Sequence, residues 1–160
     1  QMAVDMFLII EGVTGETQDK KYKGKGIDID SWSLGMSQSG TMHRGGGGGA
    51  GKVSVSDISF TKQVDRSSPN LIIKCCKGEH YSSAKLIARK AGSNPLEYFV
   101  VEMTDVLVSS YSTGGSSGGD TVTESVTLNF RKFKITYTPQ KLDGTPESAI
   151  DAEFNIAENG

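Results

Sequence analysis

Apolar and polar residues alternate along most of the chain, and this pattern predicts β-strands. The alternation is clearest in the segments 27–34, 53–60, 84–88, 99–107 and 126–137. A two-residue period rich in Val, Ile, Thr, Phe and Tyr is typical of strands with one buried face. In three of these segments the apolar phase shifts by one residue, which indicates bulges or sharp bends in a curling sheet. The pattern therefore predicts a mainly β protein whose sheets curl into a barrel.

One segment departs from this alternation and predicts a short α-helix that lies against the barrel. Ser68 can cap the helix N-terminus, Pro69 suits the first helical position, and Gly78 can end the helix in the left-handed conformation. Leu71 and Cys75 share one helical face, because they are four residues apart.

Eleven of the twenty glycines lie in two segments, which we expect to be loops on a folded β scaffold. Residues 113–120 separate two long predicted strands and are expected to form a hairpin tip. Residues 37–51 are longer and contain five consecutive glycines, residues 45–49.

The composition fits one domain with no strong electrostatic preference. The chain has 160 residues, with 17 Lys and Arg against 19 Asp and Glu, for a net charge of −2. A chain of this length buries one ordinary core, so we expect a single domain over residues 1–160. This balance lacks the excess of basic residues that is typical of proteins binding nucleic acid or an anionic membrane.

The N-terminal segment has neither the basic region of a signal peptide nor the length of a membrane span. Asp5 interrupts its apolar run. We expect Gln1, which precedes Met2, to lie outside the natural chain. We also expect any export to proceed without a cleaved signal.

The two cysteines predict neither a disulfide nor a metal site. Cys75 and Cys76 are adjacent, and a disulfide between neighbours closes a small strained ring. The usual spacing of zinc ligands is missing. We therefore expect two half-buried free thiols in a reducing compartment.

A partial phosphate-loop motif covers residues 46–52, ending in Lys52. Such a loop needs a following hydroxyl and a helix, whereas Val53 occupies the hydroxyl position and begins an alternating segment. We therefore expect no nucleotide binding.

The two histidines stand in no catalytic motif: His43 lies on the glycine loop, and His80 is expected to bond the backbone after the helix. We expect no catalytic, cofactor-binding or metal-binding residues, and no cofactor.

Trp32 lies between Ser31 and Ser33 on a predicted strand, and we expect it to anchor the core. The pleat then directs Ser31 and Ser33 outward, where they line an interaction surface or are simply solvated. Lys85, Arg89 and the neighbouring Lys90 form a modest basic patch, which is a solvated strand face or a subunit contact.

Several segments together closely resemble the Hcp family, the haemolysin co-regulated proteins of bacterial type VI secretion systems. Residues 36–45 read MSQSGTMHRG, followed by the glycine run and by residues 56–62, SDISFTK. Further matching segments are SPNL at 68–71, AKL at 84–86, RKAG at 89–92, VLVSS at 106–110, STGG at 112–115, TLNF at 127–130 and YTPQ at 137–140. The resemblance covers nearly the whole chain and is weakest in residues 11–25 and after Lys141.

The resemblance implies a small β-barrel of two curled antiparallel sheets, with one short flanking α-helix and a long extended glycine-rich loop. It also implies a homohexameric ring that stacks into a hollow tube similar to a phage tail tube. The implied partners are further copies of the chain, a spike protein, a contractile sheath, and effector proteins carried in the ring lumen. Neither nucleic acid nor direct membrane insertion is implied.

The same resemblance implies a location and a role. The protein is expected to be cytoplasmic during assembly and then secreted to the medium or into target cells. No fused toxin domain is expected, because the chain ends soon after the predicted strand at 153–156. The alternatives are an effector-binding chaperone or regulator that does not polymerise, and a hydrolase built on Asp57, Asp65 or Glu124.

Two groups of residues are expected to carry this function. Ser31 and Ser33 are expected to contact effectors in the lumen, with Ser33 the best single candidate. Glycines allow a loop to adapt its backbone to a neighbour, and the glycine-rich loop is expected to stack one ring on the next. The residues expected in this contact are Met42, His43, Arg44, Gly45, Gly46, Gly47, Gly48 and Gly49.

Overall fold

The alternating segments form antiparallel strands. The computed structural model describes residues 4–40, 52–92 and 95–160. Its elements are β1 (Val4–Ile10), β2 (Ile27–Asp28), β3 (Ser31–Ser33), β4 (Met36–Gln38), β5 (Val53–Val55), β6 (Ile58–Gln63), α1 (Ser68–Lys77), β7 (His80–Lys90), β8 (Leu96–Gly114), β9 (Thr123–Tyr137) and β10 (Ile150–Asn155). The predicted stacking residues 42–49 lie outside the described residues.

One eight-stranded sheet closes into a barrel. Its strand order is β2-β1-β7-β8-β9-β6-β3, and β10 pairs with β9 outside this path. The two end strands, β2 and β3, are consecutive in the chain and are separated by two residues. Ile29 donates its N–H to the carbonyl of Met6 (3.1 Å), and Asp30 donates to Thr61 (2.8 Å), so this corner joins the two sheet edges. The predicted mainly β barrel with one helix is confirmed, and β4 and β5 form a separate two-stranded hairpin.

The core lies on the inner face of this sheet. Side chains with no solvent exposure come from six strands: Leu8, Ile27, Ile58, Leu86, Val101 and Leu128. Burying such a side chain contributes roughly 1.5–3 kcal/mol, so the inner face supplies much of the driving force for folding.

A bend crosses strands β8 and β9 at the same level. In β8 the core-facing residues change from odd to even positions between Met103 and Val106. The facing part of β9 makes the same change between Phe133 and Phe130. Asp105, between the two β8 residues, adopts a left-handed backbone conformation with φ 59°. The predicted phase shift in 126–137 is therefore a bend within one strand. The other two predicted shifts, in 27–34 and 53–60, fall at breaks between strands: between β2 and β3, and between β5 and β6.

Side-chain contacts hold the bend. The Asp105 carboxylate contacts His80 Nδ1 at 2.8 Å and Arg131 Nε at 3.5 Å. The expectation that His80 bonds the backbone is wrong, because its ring instead pairs with this carboxylate across the β7–β8 ladder.

Residues 11–26, here called the strap, cover the outer face of β1 and β7. Tyr22 packs on Phe7 with ring centroids 5.3 Å apart, and Ile87 joins them in a second buried cluster. Strands β1 and β7 are therefore partly buried on both faces, whereas the alternation in 84–88 predicts one buried face for β7. The unbroken apolar runs 6–10 and 86–88 are the sign of this double burial in the sequence.

Arg89 fastens the strap. Its guanidinium donates to the carboxylates of Asp19 and Asp5 and lies 4.9 Å from the centre of the Phe7 ring. The hydrogen bond from Arg89 holds the pKa of Asp19 below its usual value. The expectation that Arg89 lies in a solvated basic patch is wrong, because its side chain is buried between the strap and the sheet.

Helix α1 ends as predicted but begins differently. Gly78 has φ 63°, and its N–H donates to the carbonyl of Cys75 at 3.3 Å. Ser67, not Ser68, occupies the cap position, and its side chain makes no capping hydrogen bond.

Cys75 is half-buried as expected, whereas Cys76 is exposed. No helix in the described ranges combines the length and apolar character needed to cross a membrane.

Ser68 is drawn away from capping by a buried ionic network. Lys62 and Glu124 form an ion pair with no solvent exposure of either side chain. Ser68 donates to Glu124 at 2.9 Å, and Lys62 also contacts Asp65 at 2.9 Å. Burial, together with a hydrogen bond to Glu124, raises the pKa of Tyr111 to about 12. The network ties the start of α1 to strands β6, β8 and β9.

Removing one partner of the buried pair is expected to destabilise the fold. Glu124→Ala leaves the Lys62 ammonium without its nearest counter-charge, which should cost about 3–5 kcal/mol in denaturant unfolding. The double variant Lys62→Met/Glu124→Leu removes both charges and should recover more than half of that loss. Asp151→Ala, which breaks the exposed pair with Lys134, is the control and should cost less than about 1 kcal/mol. Equal losses for Glu124→Ala and Asp151→Ala would contradict this account.

Candidate functional site

Strands β3, β6, β9 and the second half of β8 carry hydroxyl groups on their outer face. The pairing register aligns them in two rows that run across the strands. The first row is Ser31–Thr61–Ser125–Ser112, and the second is Ser33–Ser59–Thr127–Ser110. We call these eight residues the hydroxyl face. They lie outside because the residues that alternate with them, such as Phe60 and Val126, fill the core.

The hydroxyl face is polar but carries no charge of its own. Ser31 and Thr61 are hydrogen-bonded to each other at 2.6 Å, and Thr127 contacts Ser110 at the same distance. At the border, Asp57 accepts a hydrogen bond from Asn129 at 2.9 Å. The face surrounds a shallow depression of about 270 Å³. It therefore offers a wide, neutral surface of hydrogen-bonding groups.

The structure places both predicted contact residues on this face. Ser31 and Ser33 are exposed, as the pleat predicts, and Trp32 between them faces inward. Trp32 is half-buried and stacks on Phe99 with ring centroids 5.8 Å apart. Whether the two serines contact effectors stays a prediction.

The other six members of the hydroxyl face were missed by sequence reasoning. They belong to three strands that are distant from β3 in the chain, so only the register brings them beside Ser31 and Ser33. The signal in the sequence is the alternation of serine and threonine with apolar residues, as in 58–61 and 125–128.

A projecting hairpin extends from one end of the hydroxyl face. It consists of β4 and β5, and we call residues 36–55 the arm, of which 36–40 and 52–55 are described. Gly35 and Ser56 join it to the barrel: Gly35 donates its N–H to Ser56 Oγ at 2.8 Å, and Ser56 Oγ donates to the Gly35 carbonyl at 2.9 Å. The segment after Lys52 is strand β5, which agrees with the interpretation of 53–55 as a strand.

The opposite end of the hydroxyl face contains a cleft and a turn. The turn joins β8 to β9, as predicted for the glycine-rich hairpin tip. Val64 donates its N–H to the carbonyl of Val122 at 2.9 Å, and both side chains are exposed. Beside Val64 lies a cleft of about 260 Å³, which we call the acidic cleft. It is lined by Glu16, Asp28, Asp30, Gln63, Val64 and Asp65.

Both lateral edges of the four-stranded region are unpaired within the described residues. Strand β7 begins at His80, opposite Leu107, so the next part of β8, residues 108–114, pairs with β9 alone. On the other side, β3 pairs with β6 alone. Unpaired edges offer rows of backbone donors and acceptors to another chain.

The carboxylates considered for a hydrolase do not converge. Asp57 precedes β6 and Asp65 follows it, so the strand separates them. Glu124 is fully buried in its ion pair with Lys62. Among residues 4–40, 52–92 and 95–160, no three His, Cys, Asp or Glu side chains are grouped to hold a metal ion.

Comparison with known proteins identifies the class. A family model described as "Type VI secretion system effector, Hcp" matches residues 7–137. The protein hcp1 of Pseudomonas aeruginosa is 54% identical to this chain over 160 residues, which cover 99% of this chain and 98% of that protein. The class is thus that of the secreted proteins of type VI secretion systems.

Solved structures agree with this class. The structure of a type six secretion system protein superposes with a TM-score of 0.92 at 25% identity, covering 99% of both chains. Hcp1 from Salmonella typhimurium superposes with a TM-score of 0.80 at 38% identity, covering 99% of this chain and 98% of that one. The chain belongs to the Hcp family.

Proposed function

We propose that this protein is the structural subunit of a type VI secretion inner tube. Six copies form a ring, rings stack into a hollow tube, and the hydroxyl face lines the channel that carries effectors. The tube meets a spike protein at its tip and a contractile sheath around it, and it leaves the cytoplasm with its cargo. The observation that carries this proposal is a continuous hydroxyl face bounded on both sides by unpaired strand edges.

The unpaired edges support ring closure. A repeated contact between two different patches generates a closed ring when its rotation closes. Residues 108–114 of β8 on one copy and β3 on the next present such different patches. Pairing them extends the four-stranded region from copy to copy, and each backbone hydrogen bond adds about 0.5–1.5 kcal/mol. The hydroxyl faces then form one continuous wall.

The chemistry of the face suits passing cargo. Each hydroxyl both donates and accepts hydrogen bonds, and it rotates to suit its partner. Because the eight residues carry no charge, the wall neither repels nor tightly holds a charged protein. Such a wall gives weak adaptable contacts, which retain an effector during assembly and allow its release.

The ring is the first expected outcome. In dilute solution the purified protein should have the native mass of a hexamer, measured by native mass spectrometry and light scattering. The physical reason is that a closed ring pairs both strand edges of every copy, so that no edge keeps unpaired backbone groups. Monomer alone across micromolar concentrations would refute the proposal. Rings that never form tubes at high concentration would favour the alternative of an effector-binding chaperone that does not polymerise.

Ser33→Gln is expected to impair cargo binding and leave the ring intact. The longer side chain covers the second hydroxyl row without entering the core, so melting temperature and ring mass should not change. Co-purification of a cognate effector should fall about tenfold, which corresponds to about 1.4 kcal/mol. Ser116→Gln, in the exposed β8–β9 turn, is the matched control. Unchanged recovery of every cognate effector with Ser33→Gln would argue against the channel role of this face.

Changes in the arm are expected to affect stacking but not the ring. Deleting residues 45–49, or replacing Met42 and Arg44 with serine, removes no described core contact. Melting temperature and ring mass should therefore stay close to those of the unmodified protein, whereas tube formation and secretion should fall sharply. Both are measured on the same variant, by light scattering and by electron microscopy of concentrated protein. Dissociated rings would make the arm a lateral contact, and persisting tubes would make it a passive surface loop.

A further inference from the structure

Two ionic contacts, which we call the clasps, hold the strap on the outer face of the sheet. In the first clasp, the Arg89 guanidinium of β7 donates to Asp19 of the strap at 3.2 Å and to Asp5 of β1 at 3.2 Å. In the second clasp, Glu97 of β8 accepts a hydrogen bond from Lys21 Nζ of the strap at 2.7 Å. Each clasp thus joins a charged strap residue to a sheet residue of opposite charge.

An apolar patch lies beneath the strap. Tyr22 of the strap packs on Phe7 and Ile87, which are 4% and 1% exposed, and Ile9 and Val100 pack at the border of this cluster. The Tyr22 hydroxyl also donates to the carboxylate of the second clasp. The patch is a cluster separate from the main core. Lifting the strap would therefore uncover it without opening the barrel.

Arg89 is a buried cation that cannot become neutral. Its hydrogen bond to Asp19 raises the pKa of Arg89 above an ordinary value that is already high. The Arg89 side chain is only 9% exposed, and its Nε finds no hydrogen-bond partner among the described residues. A buried charge that loses its counter-charge keeps the full cost of its lost hydration. Access of water to Arg89, which requires the strap to lift, relieves that cost.

The carboxylates of the clasps are the groups that acid neutralises. The hydrogen bond from Arg89 lowers the pKa of Asp19. Burial raises the pKa of Glu97, but the hydrogen bonds from Lys21 and Tyr22 outweigh this effect, and the net shift is downward. A carboxylate whose pKa is lowered by folding stabilises the folded form fully above about pH 4, and this contribution is lost as the pH falls through the lowered pKa. Acid therefore weakens both clasps.

The other charged groups around the strap lie outside the clasps. They are Glu11, Glu16, Lys20, Lys23 and Lys25 of the strap, Asp28 of β2, Lys85 of β7, Glu102 of β8, and Arg66 after β6. Glu16 lies 3.9 Å from Arg66, and both side chains are exposed. In acid the strap loses the charge of its three carboxylates and keeps that of its four lysines. Its repulsion from Arg89 then grows.

We propose that the strap is an acid-released cover over the outer face of the sheet. At neutral pH the clasps keep it closed. Protonation of Asp19 removes the strap's counter-charge from Arg89, which stays charged. The strap then lifts, water reaches the guanidinium, and Phe7 and Ile87 become exposed while the barrel stays folded. The cover belongs to the single barrel and does not depend on ring formation.

Thiol labelling beneath the strap tests this proposal. Ile87→Cys places a thiol in the covered patch, Cys75→Ser removes the half-buried thiol, and the exposed Cys76 serves as the internal reference. Dithiodipyridine labels thiols in acid as well as at neutral pH. Mass spectrometry then gives the labelling rate of the introduced thiol relative to that of Cys76. This ratio should rise at least about tenfold between pH 6 and pH 3.

Further substitutions in the same background separate the first clasp from other effects of acid. Asp19→Asn is a neutral side chain of the same shape, and it should raise the labelling ratio about tenfold at pH 7, without acid. Glu16→Gln changes a strap carboxylate whose partner is exposed, and it should alter the ratio less than about twofold. Arg89→Met keeps apolar contact with the patch but removes the buried charge. Its rise in acid should stay below about threefold, the part left to the second clasp.

The fluorescence of Trp32 shows in the same samples whether the main core stays folded, because Trp32 packs there against Phe99. Faster labelling with an unchanged Trp32 emission spectrum supports release of the strap alone. A spectrum that shifts together with the labelling ratio means that the whole barrel unfolds, which would overturn the proposal. Equal ratios for Asp19→Asn and Glu16→Gln at pH 7, or a full response to acid in Arg89→Met, would overturn it as well.

Discussion

The structure depends on closure of its sheet by one continuous segment, residues 27–33. Ile27 and Asp28 pair with β1, Ser31–Ser33 pair with β6, and the two residues between these strands, Ile29 and Asp30, turn the corner. Upstream, Gly15 lies so close to the carbonyl of Gly26 that a side chain at position 15 would collide with it. The strap therefore folds back on its own end, immediately before the closing segment begins. If the corner fails, the sheet has two open ends and the core loses one wall.

The same segment also orders the candidate functional surfaces along the chain. The strap ends where β2 begins, Asp28 and Asp30 form part of the acidic cleft, and Ser31 and Ser33 contribute to both hydroxyl rows. Gly35 then leads into the arm. Because these features follow one another in one short stretch, the position of the corner sets the position of cleft, face and arm together.

The sequence predicts the strands and the helix but not which of them pack together. Alternation predicted the strands, and Gly78 marked the end of the helix, because both depend on local geometry. The helix start was misplaced by one residue since Ser68 is held by Glu124, a residue distant in the chain. Arg89 was placed in solvent for the same reason, as the strap that buries it is not part of its own strand. Likewise, Ser31 and Ser33 were recognised as exposed, but the two rows became visible only with the register of four strands.

The hydroxyl face contributes little to the core, and this has an evolutionary consequence. Its eight side chains point away from the residues that stabilise the barrel, so their exchange costs little folding stability. The buried Lys62–Glu124 network, in contrast, tolerates no single change without an energetic penalty. Selection on this surface is thus separated from selection on the scaffold. A lineage can replace the residues of the hydroxyl face many times while it keeps the same barrel.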